Sequence, residues 1–103
     1  MSAAETAPAA EDGWRDPGLE GIREEIERID QALLGLIAER VALARRVGVA
    51  KRAAGLPILD PAREAAVVRR AGTRAREAGL PDDDVRYIWW HLIGLSRRVQ
   101  MEE

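Results

Sequence analysis

Apolar residues fall at helical spacing from Leu19 to about Ala54: Ile22, Ile26, Ile29, Leu33, Leu36, Ile37, Val41, Ala44 and Val47. No proline interrupts this stretch, which stops at Gly55-Leu56-Pro57, a helix-ending glycine followed by a residue that cannot continue a helix. A second helix is predicted from Asp60-Pro61, with Asp60 as the cap and Pro61 in the first turn, through Val67, Val68, Ala71 and Ala75 to Gly79-Leu80-Pro81. A third opens on Asp82, Asp83 and Asp84, acids suited to the positive end of a helix. Its stripe is Val85, Ile88, Trp89, Leu92, Ile93, Leu95 and Val99. No alternating strand pattern or repeat interrupts this order. The expected fold class is all-α, one long helix and two shorter ones.

A helix of about 35 residues is roughly 50 Å long, more than helices of about 18 and 20 residues can cover. One chain alone would leave part of the first apolar stripe in water, and its burial is worth roughly 25 cal/mol per Å². Pairing of two chains through the long helix is therefore expected. Gly35 and Gly48 sit inside this helix, each costing about 1 kcal/mol relative to Ala. Close helix approach and a plain Ala/Gly-rich composition explain them equally well.

Composition narrows the function. The chain has 103 residues, one small domain's worth, and no Cys, which excludes disulfide scaffolds, Cys-ligated zinc and thiol catalysis. One His, His91, leaves no His-cluster metal site; it is read as a partly exposed helix residue, with a place at the dimer interface as the alternative. The 16 Lys+Arg against 18 Asp+Glu leave a net charge of −2, unlike a general nucleic-acid binder. No apolar run is long enough to span a bilayer. Residues Met1 to Gly18 are acidic and rich in small residues, and read as a disordered tail without a secretory signal; residues 19–103 form the helical domain. Trp14 is the tail residue best suited to docking on that domain. A cytoplasmic location is expected.

The telling residues are polar ones on apolar stripes. Arg40 follows Leu36 by four residues and Leu33 by seven, on the seam facing the core. Lys51, eleven residues later, returns to within about 20° of the same face. Ser96 and Gln100 continue the line of Trp89 and Ile93, and Asp60, Arg63 and Glu64 cluster at the start of the second helix. Singly, these are a snorkelling arginine, a charge near a helix end, a cap and surface polarity. Together they describe a pocket for a small dianion bearing a hydroxyl, whose carboxylates would partner the cations. Arg23 lies about 25 Å along the axis from Arg40 and roughly 100° round, so it reaches such a pocket only from an antiparallel partner chain. Trp89 and Trp90 point about 100° apart, Trp89 toward the core and Trp90 toward an interface or the surface.

The ordered set "IREEIERIDQALLGLIAER", "VGVAK", "GLPILDPARE" and "SRRVQ" resembles the all-helical chorismate mutase family, covering most of the chain between Leu19 and Gln100. The resemblance implies an intertwined homodimer of three-helix protomers. It also implies an isomerase of aromatic amino acid biosynthesis in the shikimate pathway, converting chorismate to prephenate by a [3,3] rearrangement without cofactor or metal. Arg40 would then bind one substrate carboxylate and Arg23 of the second chain the other. Lys51 and Gln100 would donate to the breaking ether oxygen, making Lys51, Gln100 and Arg40 the catalytic set. Glu64 and the Asp60 backbone would hold the ring hydroxyl, Ser96 would help fix the ring carboxylate, and Arg63 would act through water or from behind the residues that touch the substrate. The chain is expected to be the mutase domain alone, without a fused dehydratase, dehydrogenase, synthase or regulatory domain.

Three alternatives stand beside this reading. An isochorismate pyruvate lyase shares the cationic pocket but carries apolar residues where Asp60 and Glu64 stand here. A 4-amino-4-deoxychorismate mutase would set an amine against Glu64. A non-enzymatic helical dimer module would have lost Arg40, Lys51 or Gln100, and all are present. Because Gln100 is a neutral amide, the rate is expected to be nearly flat between about pH 5 and 8.

Overall fold

The computed structural model describes residues 17–102. Its three helices are α1 (Pro17–Ala54), α2 (Pro61–Glu77) and α3 (Asp82–Gln100), in the expected order and with no strand among the described residues. Of the stretch expected to form a tail, Pro17 and Gly18 already belong to α1; Trp14 and the rest lie outside the described residues. Among the described residues no helix is long and apolar enough to cross a membrane.

Both helix stops use the same device. Gly55 and Gly79 take φ values of 69° and 74°, a left-handed backbone that only glycine adopts cheaply. This turns the next amide back on the helix: Leu56 N donates to Lys51 O at 2.8 Å, and Leu80 N to Ala75 O at 2.8 Å. The leftover carbonyls of each last turn are thereby satisfied, and Pro57 and Pro81 follow. At the other end of α2, the Asp60 side chain accepts from Arg63 N at 3.2 Å, with Pro61 in the first turn.

The chain divides into two compact units, one ending at Ile37 and the other running from Ala38 to Glu103. In the first, the helical face Ile22, Ile26, Ile29, Leu33 and Leu36 is 50–60% exposed throughout. In the second, α2 packs along α3, and Ala44, Ala71, Ala75, Ile93 and Val99 form the buried core. Three of the five are alanines, which lets the helices lie close together. At Gly48 an added Cβ would stand 2.6 Å from the Gln100 carbonyl oxygen and 2.9 Å from its Cα, so α3 ends directly against the α1 backbone. Close approach is thus the physical reason for Gly48. At Gly35 an added Cβ meets nothing within 4 Å, so no such contact within the chain accounts for that glycine.

The α3 stripe departs from expectation at Ile88, which is 54% exposed although its spacing puts it among the apolar residues. Trp89 is half-buried and Trp90 exposed, in the sense expected from their 100° offset. His91 is exposed and meets the Tyr87 ring edge-on at a centroid distance of 4.7 Å. Asp82 links the start of α3 to the end of α2 by accepting from Arg76 at 2.7 Å.

Candidate active site

A cavity of about 340 Å³ opens within the second unit, between the C-terminal half of α1, the start of α2 and the inner face of α3. Its polar lining is Arg40 and Lys51 from α1, Asp60, Arg63 and Glu64 from the cap and first turn of α2, and Ser96 and Gln100 from α3. Apolar walls come from Leu43, Val47, Ile58, Val67 and Ile93. A space of this size, mostly apolar with a few converging polar groups, suits one small molecule.

Each polar group is held by a local feature. Arg40 is half-buried, donating to Ser96 Oγ and, at 3.4 Å, to the Leu92 carbonyl. Ser96 donates in turn to Leu92 O at 3.0 Å, one turn back along α3. Lys51 gives one of its three N–H donors to Ile58 O at 3.0 Å, leaving two for other acceptors. The loop that supplies Ile58 is folded over by the Gly55 turn, so the helix stop also places the lysine's anchor. Asp60 is occupied by its capping role and contributes to the cavity from that fixed position.

Gln100 is gripped at its backbone. Arg52 donates to its carbonyl at 2.7 Å, and the missing side chain at Gly48 lets that carbonyl approach. Its side-chain Oε1 is buried and has no hydrogen-bond partner among the described residues. A buried polar atom in that condition costs free energy unless a ligand or water meets it, which makes this amide a candidate contact for a bound molecule.

Glu64 carries a feature that sequence reasoning missed. Arg97, a residue of the "SRRVQ" stretch to which no role attached, donates from Nε to Oε2 at 3.1 Å and from Nη2 to Oε1 at 2.7 Å. The pair is a two-pronged match of planar groups, the strongest geometry for such ions. Hydrogen bonding to Glu64 raises the Arg97 pKa above its already high ordinary value, and the carboxylate's charge adds to this. Thirty-three residues separate the partners, and each charge alone reads as surface, so only opposite sign hinted at the pairing.

Arg23 lies in the other unit, half-buried on α1, and does not line this cavity. Among the described residues no cluster of His, Cys, Asp and Glu is arranged to hold a metal ion. The lining can bind a dianion through Arg40, Lys51 and Arg63, donate hydrogen bonds to an oxygen through Lys51 and Gln100, and accept one at Glu64.

A stretch of this chain is 50% identical over 46 residues to the bifunctional chorismate mutase/prephenate dehydratase of Aquifex aeolicus, covering 45% of this chain and 13% of that protein. Another is 51% identical over 43 residues to the chorismate mutase of Methanocaldococcus jannaschii, covering 42% of this chain and 43% of that protein. A third is 46% identical over 48 residues to the T-protein of Enterobacter agglomerans, covering 47% of this chain and 13% of that protein. The chain thus spans less than half the length of each of these relatives. The model of the family "Chorismate mutase type II" matches residues 22–101, nearly the whole described chain, and the protein belongs to that family.

Proposed function

We propose that the chain is a chorismate mutase, an isomerase that rearranges chorismate to prephenate. The observation that carries this reading is the cavity lining. Arg40, Lys51, Asp60, Arg63, Glu64, Ser96 and Gln100 come from three separate helical segments and surround one space of substrate size.

The reaction is a [3,3] shift: the ether C–O bond breaks as a C–C bond forms, with no proton gained or lost. Catalysis then requires only a fixed conformation and a fixed field. Arg40 holds one carboxylate, with Ser96 beside it, and Glu64 and the Asp60 backbone hold the ring hydroxyl. This selects the compact conformer and removes part of the entropic barrier. Lys51 and Gln100 donate to the ether oxygen, where negative charge grows as the bond breaks, so their contribution is largest in the transition state. Arg63 acts through water at the rim.

The active molecule in this proposal is a homodimer that pairs through the exposed face of α1, with Arg23 of one chain binding the second carboxylate in the other chain's cavity. Support comes from Ile22, Ile26, Ile29, Leu33 and Leu36, an apolar face too large and too exposed to be left in water. A place in aromatic amino acid biosynthesis and the cytoplasmic setting expected from the Cys-free composition belong to the same proposal.

The test is an absorbance assay of purified protein with chorismate, the products resolved by chromatography and isochorismate run in parallel. Prephenate formed at more than about 1 s⁻¹, within the ordinary range for enzymes, is the expected result. Salicylate and pyruvate from isochorismate with little prephenate would overturn it in favour of the lyase.

A further inference from the structure

The Arg97–Glu64 pair adds something that the mutase reading does not use. Glu64 lines the cavity, whereas Arg97 does not. The guanidinium therefore reaches the carboxylate from outside the lining and engages both of its oxygens. The side chains are 32% and 21% exposed, sheltered enough for the pairing to matter and open enough for Arg97 to be replaced without emptying the core.

We propose that Arg97 is a specificity-determining residue: by neutralising Glu64 from behind, it fits this corner of the cavity to a ring bearing a neutral hydroxyl and against the same ring bearing an ammonium. The proposal rests on the mutase reading, in which Glu64 faces the ring substituent.

The physical case is one of charge. A carboxylate oxygen has two lone pairs, and Arg97 takes one at each oxygen, so Glu64 can still accept a hydrogen bond from a hydroxyl. For that purpose its net charge is secondary. An ammonium gains from a bare carboxylate, but here it would meet one whose charge is already balanced, with the guanidinium close behind. Arg40 and Lys51 on the same cavity add to the positive field. Without Arg97, Glu64 would be a free anion and would favour the ammonium.

The experiment compares the protein with its Arg97→Gln and Arg97→Lys variants, using chorismate and 4-amino-4-deoxychorismate as probes. Calorimetry gives the two dissociation constants and a product assay the two kcat/KM values. Arg97→Gln is expected to shift selectivity toward the amino compound by roughly fivefold, the scale of a partly exposed charge pair. Arg97→Lys keeps the charge and is expected to stay near the parent ratio, which a purely structural role of the fork would not allow. A ratio within about twofold of the parent in Arg97→Gln overturns the proposal, as does an equal shift in Arg97→Lys, since either removes charge as the cause. Binding of both probes without prephenate formation would retire the mutase reading, while the dissociation constants still decide the role of Arg97. Failure of both probes to bind the parent protein overturns the two together.

Discussion

Ile26, Ile29 and Leu33, on the first half of α1, are exposed to half or more of their area, whereas Ala44 and Gly48 further along the same helix are buried. The two stretches share a helical period but differ in what that period carries. The first presents large aliphatic side chains, half or more exposed. The second alternates small residues with Arg40 and Lys51, so that α3 packs closely while two cations reach inward. One amphipathic pattern thus gives two outcomes: a stripe of large residues left exposed, and a stripe of smaller residues interrupted by cations that lines a cavity.

Charging the first face should have the largest effect. Ile29→Asp would place two carboxylates in the proposed symmetric interface, at a cost of at least about 4 kcal/mol, on the order of a thousandfold in dimer affinity. Sedimentation is expected to show monomers, with turnover falling because Arg23 no longer reaches the second cavity. A dimer of unchanged affinity would remove this face as the interface.

Lys51→Ala acts on the second stretch alone. Loss of one donor aimed at developing charge costs about 3–4 kcal/mol, so turnover should fall at least a hundredfold while the dimer persists. A loss below about tenfold would remove Lys51 from its proposed role.

Gly48→Ala tests the close approach between α1 and the end of α3. The added Cβ would stand 2.6 Å from a backbone oxygen, which α3 relieves only by moving. Overpacking of this kind costs about 1–3 kcal/mol, a fall in Tm of several degrees for a small domain. Because Gln100 moves with its backbone, turnover should fall too. The same substitution at Gly35, where the chain has open space, is expected to be neutral or slightly stabilising in the monomer. Equal effects at the two glycines would erase the contrast between the stretches.

The smallest effect is electrostatic. The hydrogen bond from Arg76 holds the Asp82 carboxyl below its ordinary pKa, with the charges of Arg86 and Arg76 acting in the same direction and burial against it. Its folded pKa being the lower one, the stabilisation is fully present above the unfolded value of about 3.9 and is lost as pH falls through the folded value. Thermal melts of the parent and Asp82→Asn should therefore converge below about pH 4 and separate above it. Separation that persists at low pH would assign the effect to something other than this titration.

Much of the fold was legible because its signals are local. The 3.6-residue period, two Gly-Leu-Pro stops and the Asp60-Pro61 cap each act over a few residues, and the helices follow them. Part of the site was legible for the same reason: Arg40 and Lys51 share a helical face by register, as do Ser96 and Gln100, and all four line the cavity. Ile88 keeps the period yet is exposed, because an apolar residue at the edge of a stripe satisfies the period whether or not another helix covers it. Gly48 was ambiguous because a glycine's neighbours across a helix crossing leave no trace in its own segment.

Three helices, their stops and the shared faces of Arg40 with Lys51 and of Ser96 with Gln100 follow from the sequence alone, since backbone propensity and periodicity are properties of short segments. Which of the many surface-type charges work together depends instead on how the helices pack. Arg97 meets Glu64, and Arg52 meets the Gln100 carbonyl, because of how particular helices cross, and a crossing depends on the packing of small side chains from distant parts of the chain.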